Sequence, residues 1–362
     1  MKVKKDKEIC VSVHPKDNPD LVGHDEIIGH IHNLFIADKM PQALLLSGVQ
    51  GIGKATLAYR IAKFMLACTA NNNKIDASLS KDLSVPVDHH TFRKILAGSH
   101  SDLMVIERGI NPKTGKLSQD ILVDDVRKIA KFFHMTSSET KHRIIIIDSA
   151  DDMNRNAANA VLKVLEEPPA DAILILISHS PGKLLPTIRS RCHNIKMQPL
   201  NVDKAQLVLA KIAPEIGEND AVKLLHLADG SAGKAIFLNE NNALKIYDEI
   251  IKILCQPDNF DVLNKFCKEA AKAGDNKNWE ISTQIIQWIL AEFIRCKAAN
   301  RSINNINGRE NEAMENFFAN NSVSNRIEIW NKACELFDKT DSLHLDKYAI
   351  LISIFNQIKS KG

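Results

Sequence analysis

What this sequence has little of narrows it first. No run of about 18 apolar residues occurs, the length a bilayer-spanning helix needs. The lysine-rich start, with Lys2, Lys4, Lys5 and Lys7, is followed by no apolar stretch of the kind a secretory signal carries. The expected compartment is the cytoplasm. Cysteines are few and scattered, at 10, 68, 192, 255, 267, 296 and 334, and none forms a CxxC pair. That spacing supports neither a disulfide framework nor a structural zinc site, and buried free thiols are expected instead. Excess charge is also scarce. The formal net charge is +3, without the clustered basic face of a dedicated duplex-DNA binder. Any contact with DNA would be a minor share of an assembly's.

What is present fits two or three domains. The chain has 362 residues, 44% of them hydrophobic, which is ample for real cores. Over roughly the first 200 residues short apolar runs alternate with helical patterns, which reads as an α/β unit with a parallel sheet. Strands are expected at 43–47, 103–107, 144–148, 173–177 and 193–197. Helices are expected at 54–68, at 123–133 and at 153–165, the last stopped by Pro168-Pro169. The composition shifts near Pro199. Two or three short helices follow to about residue 238, with the turn Asp229-Gly230-Ser231-Ala232-Gly233-Lys234 among them. Beyond 239 only amphipathic helices are expected, at 247–255, 279–296, 326–336 and 346–358, with the asparagine-rich stretch 300–311 as a long loop.

The strongest local signal is Gly48-Val-Gln-Gly51-Ile-Gly53-Lys54-Ala55-Thr56, which follows an apolar strand and opens a helix. That is the context a phosphate-binding loop requires. Its glycines let backbone N–H groups curl around phosphates, Lys54 can reach the terminal phosphates, and the helix N-terminus adds positive potential. The bland alternative is a glycine-rich turn that binds nothing.

Two positions are wrong for hydrolysis. The residue after the lysine should be Ser or Thr, whose hydroxyl ligates Mg²⁺, and here it is Ala55. Thr56 lies one step on, rotated by about 100° around the helix, so it is no direct replacement. The run Ile144-Ile-Ile-Ile-Asp148 ends in an acid placed to stand near the metal, but the next position, a glutamate in many such ATPases, is Ser149. Asp151 and Asp152 follow and are expected to cap or to face solvent. Binding of ATP without efficient hydrolysis is the expectation, which leaves the place of Mg²⁺ open.

After the fourth strand comes Ile188-Arg189-Ser190-Arg191-Cys192. From spacing alone Arg191 is either a surface charge or a finger supplied to a neighbour's ATP. The string from Asp148 through Asn156-Ala-Ala-Asn159 to Leu165-Glu166-Glu167-Pro168-Pro169, followed by Ser190-Arg191-Cys192, resembles the clamp-loader branch of the AAA+ ATPases, most of all the delta-prime type of bacterial DNA polymerase III. Asn18-Pro19-Asp20-Leu21-Val22-Gly23-His24, Ser99-His100-Ser101-Asp102-Leu103 and Val123-Asp124-Asp125-Val126-Arg127 agree, and Leu345-Asp346-Lys347 matches weakly. The likeness covers about residues 11–240 well and the rest loosely.

That resemblance implies an AAA+ P-loop core with a five-stranded parallel sheet at 1–198, a small helical lid at 199–241 and an all-helical collar at 242–362. It implies a site in which Gly48, Gly51, Gly53, Lys54, Thr56, Asp148 and Ser178 surround nucleotide. Arg191 would act in trans on the ATP of an adjacent motor subunit. Motor (gamma/tau) and delta subunits would be direct partners, with the sliding clamp and primer-template DNA met through the complex. Three departures mark this chain. The zinc cysteines of many relatives are missing around Cys68, Ala55 and Ser149 stand at the motor positions, and the lid arginine has no counterpart except Lys234. The rival reading is a working AAA+ ATPase, a motor subunit of the same loader or a branch-migration motor. A small-molecule kinase fits the helical tail poorly.

Other residues read as structural. Ser178, at a strand end, is either an ordinary strand-end hydroxyl or a sensor of the terminal phosphate. His179 is expected in a loop, and His89, His90 and His100 lack metal-ligand spacing. Adjacent Glu166 and Glu167 do not face each other on a helix. Trp279, Trp288 and Trp330 sit among apolar residues at helical spacing and are expected to pack.

Overall fold

Runs of leucine, isoleucine and alanine make the centre of the sheet. The strands are β1 (Ala43–Ser47), β2 (Leu103–Ile106), β3 (Arg143–Ile147), β4 (Ala172–Ser178) and β5 (His193–Lys196). All pair in parallel, in the order β2-β3-β4-β1-β5. Every residue of β1, β3 and β4 is buried, as a parallel sheet covered on both faces demands. Side chains still alternate. Leu44, Leu46, Ile146 and Ile175 join one core with α2 (Lys54–Cys68), and Leu45, Ile145, Leu174 and Leu176 join the other with α4 (Val123–His134) and α5 (Arg155–Glu166). This is the α/β P-loop core expected from the sequence, with each strand within a residue of its expected ends.

The chain is described by a computed structural model covering residues 14–359 apart from 71–73, 78, 79, 111–114, 116, 117, 119, 135–138, 273–275, 304, 305, 320, 341, 342 and 344. The basic start with Lys2, Lys4, Lys5 and Lys7, and Cys10, lie outside the described residues. No helix among the described residues is long and apolar enough to cross a membrane.

Local chemistry explains the helix ends. Asn154 caps α5 by accepting from the Ala157 N–H, and Pro168-Pro169 follow its last residue. Two helices missing from the sequence reading, α1 (Asp25–Ile36) and α3 (His90–Leu96), flank the loop helix. His89 caps α3, its Nδ1 accepting from the Thr91 N–H at 3.2 Å. Asp102 is fully buried and accepts from the Thr140 N–H and hydroxyl, both at 3.0 Å, which ties the start of β2 to the turn before β3.

By packing, the chain divides into two compact units, Met1–Glu215 with Asp229–Lys234, and Ile216–Ala228 with Ala235–Gly362. The first therefore holds α6 (Pro186–Arg189), α7 (Val202–Ile212) and the 229–234 turn beside the sheet. The segment 199–241 is thus shared between the units rather than forming one of its own.

The second unit contains α8 (Glu218–Leu227), most of α9 (Ala232–Glu240), α10 (Ala243–Cys255), α11 (Phe260–Ala270), α12 (Asn276–Ala298), α13 (Glu310–Phe318), α14 (Val323–Thr340) and α15 (Lys347–Lys359). Trp279 packs edge-on against Phe337 at 5.8 Å, and the Trp330 indole N–H donates to the Gln287 carbonyl at 3.1 Å. Within the asparagine-rich stretch 300–311, the described residues 300–303 and 306–309 are loop. Glu310 then opens α13 with its carboxylate fully buried.

Candidate nucleotide site

The loop after β1 is set by its glycines. Gly48, Gly51 and Gly53 all have positive φ, at 150°, 79° and 93°, and Gly53 caps α2 in a left-handed conformation. Lys54 is only 3% exposed, and its ammonium donates to the Gly48 carbonyl at 2.7 Å and to the Val49 carbonyl. Burial pulls its pKa down to about 8, against the opposing pull of Asp148 and Asp151. An anion in the loop would compete with those carbonyls for the ammonium.

The 229–234 turn closes against this loop. The Gly233 N–H donates to the Gly51 carbonyl at 3.0 Å, and the Ser231 hydroxyl donates to the Gln50 carbonyl at 2.8 Å. A Cβ on Gly51 would stand 2.5 Å from Ser231 Oγ and 2.7 Å from the Lys234 nitrogen. On Gly230, at φ +78°, it would meet the Leu200 carbonyl oxygen at 2.3 Å. These approaches need glycine for space as well as for φ.

The strand ends bring the expected residues together. Ser47 pairs with Ser178 in register, and the Gly48 N–H donates to the Ser178 carbonyl at 3.2 Å. Asp148 follows β3 directly, close enough for its charge to act on Lys54. Thr56 is half-buried one position beyond Ala55, whose methyl packs against the core on the α2 side. Ser149 is 4% exposed.

Asp151 and His179 fall within the sequence reading, the first as a cap and the second in the loop after β4. Asp151 does not face solvent. Its carboxylate accepts from the Ser178 hydroxyl at 2.8 Å and from the His179 N–H, and caps the end of β4. The Ser178 proton is therefore already committed. His179 is the side chain left beside the loop: its Nδ1 is buried without a hydrogen-bond partner. Its pKa is lowered to about 4 by burial first and then by the nearby Lys54 charge. A histidine flanked by an apolar strand end carried no signal in the sequence. Its proximity to Lys54 comes only from the β4–β1 pairing.

Arg191 lies at the other end of the sheet. His193 pairs with Leu44, so Arg191 sits level with Gln42, six residues before Gly48, or about 20 Å away at 3.3 Å per residue. Its guanidinium donates to the Thr187 carbonyl at 3.1 Å and pairs with Glu166 at 2.9 Å. The two strings that carried the resemblance thus hold each other in space. Arg191 cannot serve its own loop.

A family model described as DNA polymerase III, delta subunit, matches residues 23–201, the span that contains every element of this site except the 229–234 turn. The delta' subunit of DNA polymerase III from Pseudomonas aeruginosa is 36% identical over 190 residues, 52% of this chain and 53% of that one. Over these residues the chain is similar to the delta-prime type of clamp-loader subunit. The delta' subunit of Bacillus subtilis is 26% identical, covering 59% of this chain and 58% of its own. The gamma subunit of Buchnera aphidicola from Schizaphis graminum is 30% identical, covering 63% and 58%. The chain spans somewhat more than half the length of the curated relatives it matches. Among its described residues, no three histidine, cysteine or acidic side chains come together as a metal site.

Proposed function

We propose that this chain is a structural, largely non-hydrolysing subunit of a DNA polymerase III clamp loader, which lends Arg191 to the ATP of a neighbouring motor subunit. Motor and delta subunits would be its direct partners, and it would meet the sliding clamp and primer-template DNA through the complex. The observation that carries the reading is the combination of an intact phosphate cradle with Ala55 and buried Ser149 at the two catalytic positions.

Lys54 and the loop N–H groups suit a triphosphate. Bound Mg²⁺ would supply charge neutralisation there, but a methyl group cannot ligate it. Ser149 is no base, and its burial keeps its hydroxyl from an attacking water. The chain orients phosphate and does not activate a nucleophile. His179, rather than Ser178, is the strand-end side chain free to sense bound phosphate. Arg191, about 20 Å from this loop by strand register, is exposed for another subunit's site.

The purified chain is expected to hydrolyse ATP no faster than its Lys54→Ala variant. Robust magnesium-dependent turnover by the chain alone would instead favour the motor reading.

Affinity for ATP should also depend on pH in a defined direction. Free Lys54 has a pKa near 8, and a bound polyphosphate favours the ammonium and raises it. Binding is therefore full below pH 8 and falls by up to about tenfold per unit above it, until the bound-state pKa is passed. The charged and titratable groups facing it are Asp148, Asp151 and His179, the last with its pKa lowered to about 4. Fluorescence titration with a nucleotide analogue from below to above the Lys54 pKa checks this. A flat profile would remove Lys54 from the phosphate contact.

A further inference from the structure

The helical unit holds a cleft that the clamp-loader reading does not use. It lies between α9, α10, α11 and the first turns of α12, with a volume of about 460 Å³, within the range of small-ligand sites. Its floor is apolar and buried, formed by Ile246, Phe266 and Ile281. Its walls carry Glu240, Glu249 and Glu269 against Lys245 and Lys277. Carboxylates are in excess.

One further group points to an occupant. Ser282 is fully buried, lines this cleft, and its hydroxyl has no hydrogen-bond partner. A buried hydroxyl left unpaired costs free energy on the order of 1–3 kcal/mol, a cost that a polar ligand atom would offset. A nearby carboxylate is also affected. Glu249 has a raised pKa, first through burial and also through the negative charge of Glu269, in spite of Lys245, which approaches it at 3.9 Å.

We propose that this cleft binds an aliphatic amine, with its ammonium between Glu249 and Glu269, its methylene chain on Ile246 and Phe266, and a polar atom at Ser282. The chemistry excludes simple anions, because the net charge of the walls is negative. It also disfavours a hydrated divalent ion, because the floor offers hydrocarbon rather than oxygen ligands. The amine has two sources, a free polyamine or a lysine side chain of a partner protein.

The full-length chain is to be titrated with spermidine by calorimetry at moderate salt, with magnesium chloride at matched ionic strength as the control. Saturable binding with one site per chain is expected, weakened at least tenfold by Glu249→Gln with Glu269→Gln, and weakened severalfold by Ser282→Ala. Circular dichroism confirms that the variants fold, and Glu335→Gln, on an exposed face of α14, serves as the neutral comparison. If spermidine binds while the N-acetyl-lysine amide tested beside it does not, the free polyamine is the source. If only the lysine amide binds, the source is a partner's side chain. Binding that magnesium abolishes equally, or that survives the double substitution, would make this diffuse counter-ion attraction and overturn the proposal. The nucleotide reading of the first unit stands or falls separately.

Discussion

If Arg191 serves a neighbouring subunit's ATP as proposed, replacing it with alanine is expected to slow hydrolysis at that site by about 10³-fold or more, the scale on which such fingers act. The steady-state rate of the assembled, DNA-stimulated complex should then drop by at least that site's share. This chain itself should remain folded. Arg191 contributes little to stability, since its guanidinium is 36% exposed and its bond to half-exposed Glu166 is an ion pair of the kind worth roughly 0.2–1 kcal/mol. The same weakness lets a phosphate outcompete Glu166 for the guanidinium. Arg191→Lys is the sharper variant, because it keeps the charge and loses the planar fork, so it should restore little of the rate. Size-exclusion of the reconstituted complex, together with its rate on primed DNA, separates failure to assemble from failure to hydrolyse. An unchanged rate in an intact complex would remove Arg191 from the role.

The sequence made the centre of the sheet legible because β1, β3 and β4 are near-continuous apolar runs, the pattern of parallel strands covered on both faces. The phosphate loop was legible for a similar reason: Gly51 and Gly53 need positive φ, and Lys54 follows at a fixed offset. Partnerships made across the fold were not legible. Asp151 read as a solvated or capping acid because nothing local shows that β3 and β4 are neighbours, and that pairing is what delivers Ser178 to it. The β4–β1 pairing brings His179 beside Lys54. The pairing of Arg191 with Glu166 likewise joins residues 25 apart in sequence through the packing of α5 on α6. The 199–241 segment was drawn as one piece because composition changes at its ends. Packing divides it instead, since the 229–234 turn needs the phosphate loop to satisfy its Gly233 N–H and Ser231 hydroxyl.

Glu310 in the helical unit is the position where a single substitution should cost most stability. Nothing in the sequence sets it apart: it is one acid at the end of an asparagine-rich stretch. In the fold its carboxylate is fully buried and accepts from the Tyr247 hydroxyl at 3.0 Å, from the Ile306 and Asn307 N–H groups at 2.7 Å each, and from the Gly308 N–H at 2.9 Å. Three of these donors are backbone groups that have left helical geometry, so the carboxylate stands in for the missing turn. Tyr247 adds a tie to α10, and its own pKa is pushed well up, by burial first and by Glu310 next. Glu310→Ala would strand four donors at once. Each buried, unpaired donor costs about 1–3 kcal/mol, and partial relaxation keeps the sum to roughly 3–5 kcal/mol. For a unit of this size that corresponds to a fall in melting temperature of roughly 10–15 °C. Glu310→Gln should lose less, because one oxygen still accepts while the amide N–H₂ meets the Gly308 N–H donor to donor. Tyr247→Phe should lose about 1 kcal/mol, since it removes one bond and no charge. Calorimetric melts of the full chain would rank the three variants. If Glu310→Ala melts within about 3 °C of the unsubstituted chain, a shift worth about 1 kcal/mol at most, the buried carboxylate is not what holds the 306–310 turn against α10.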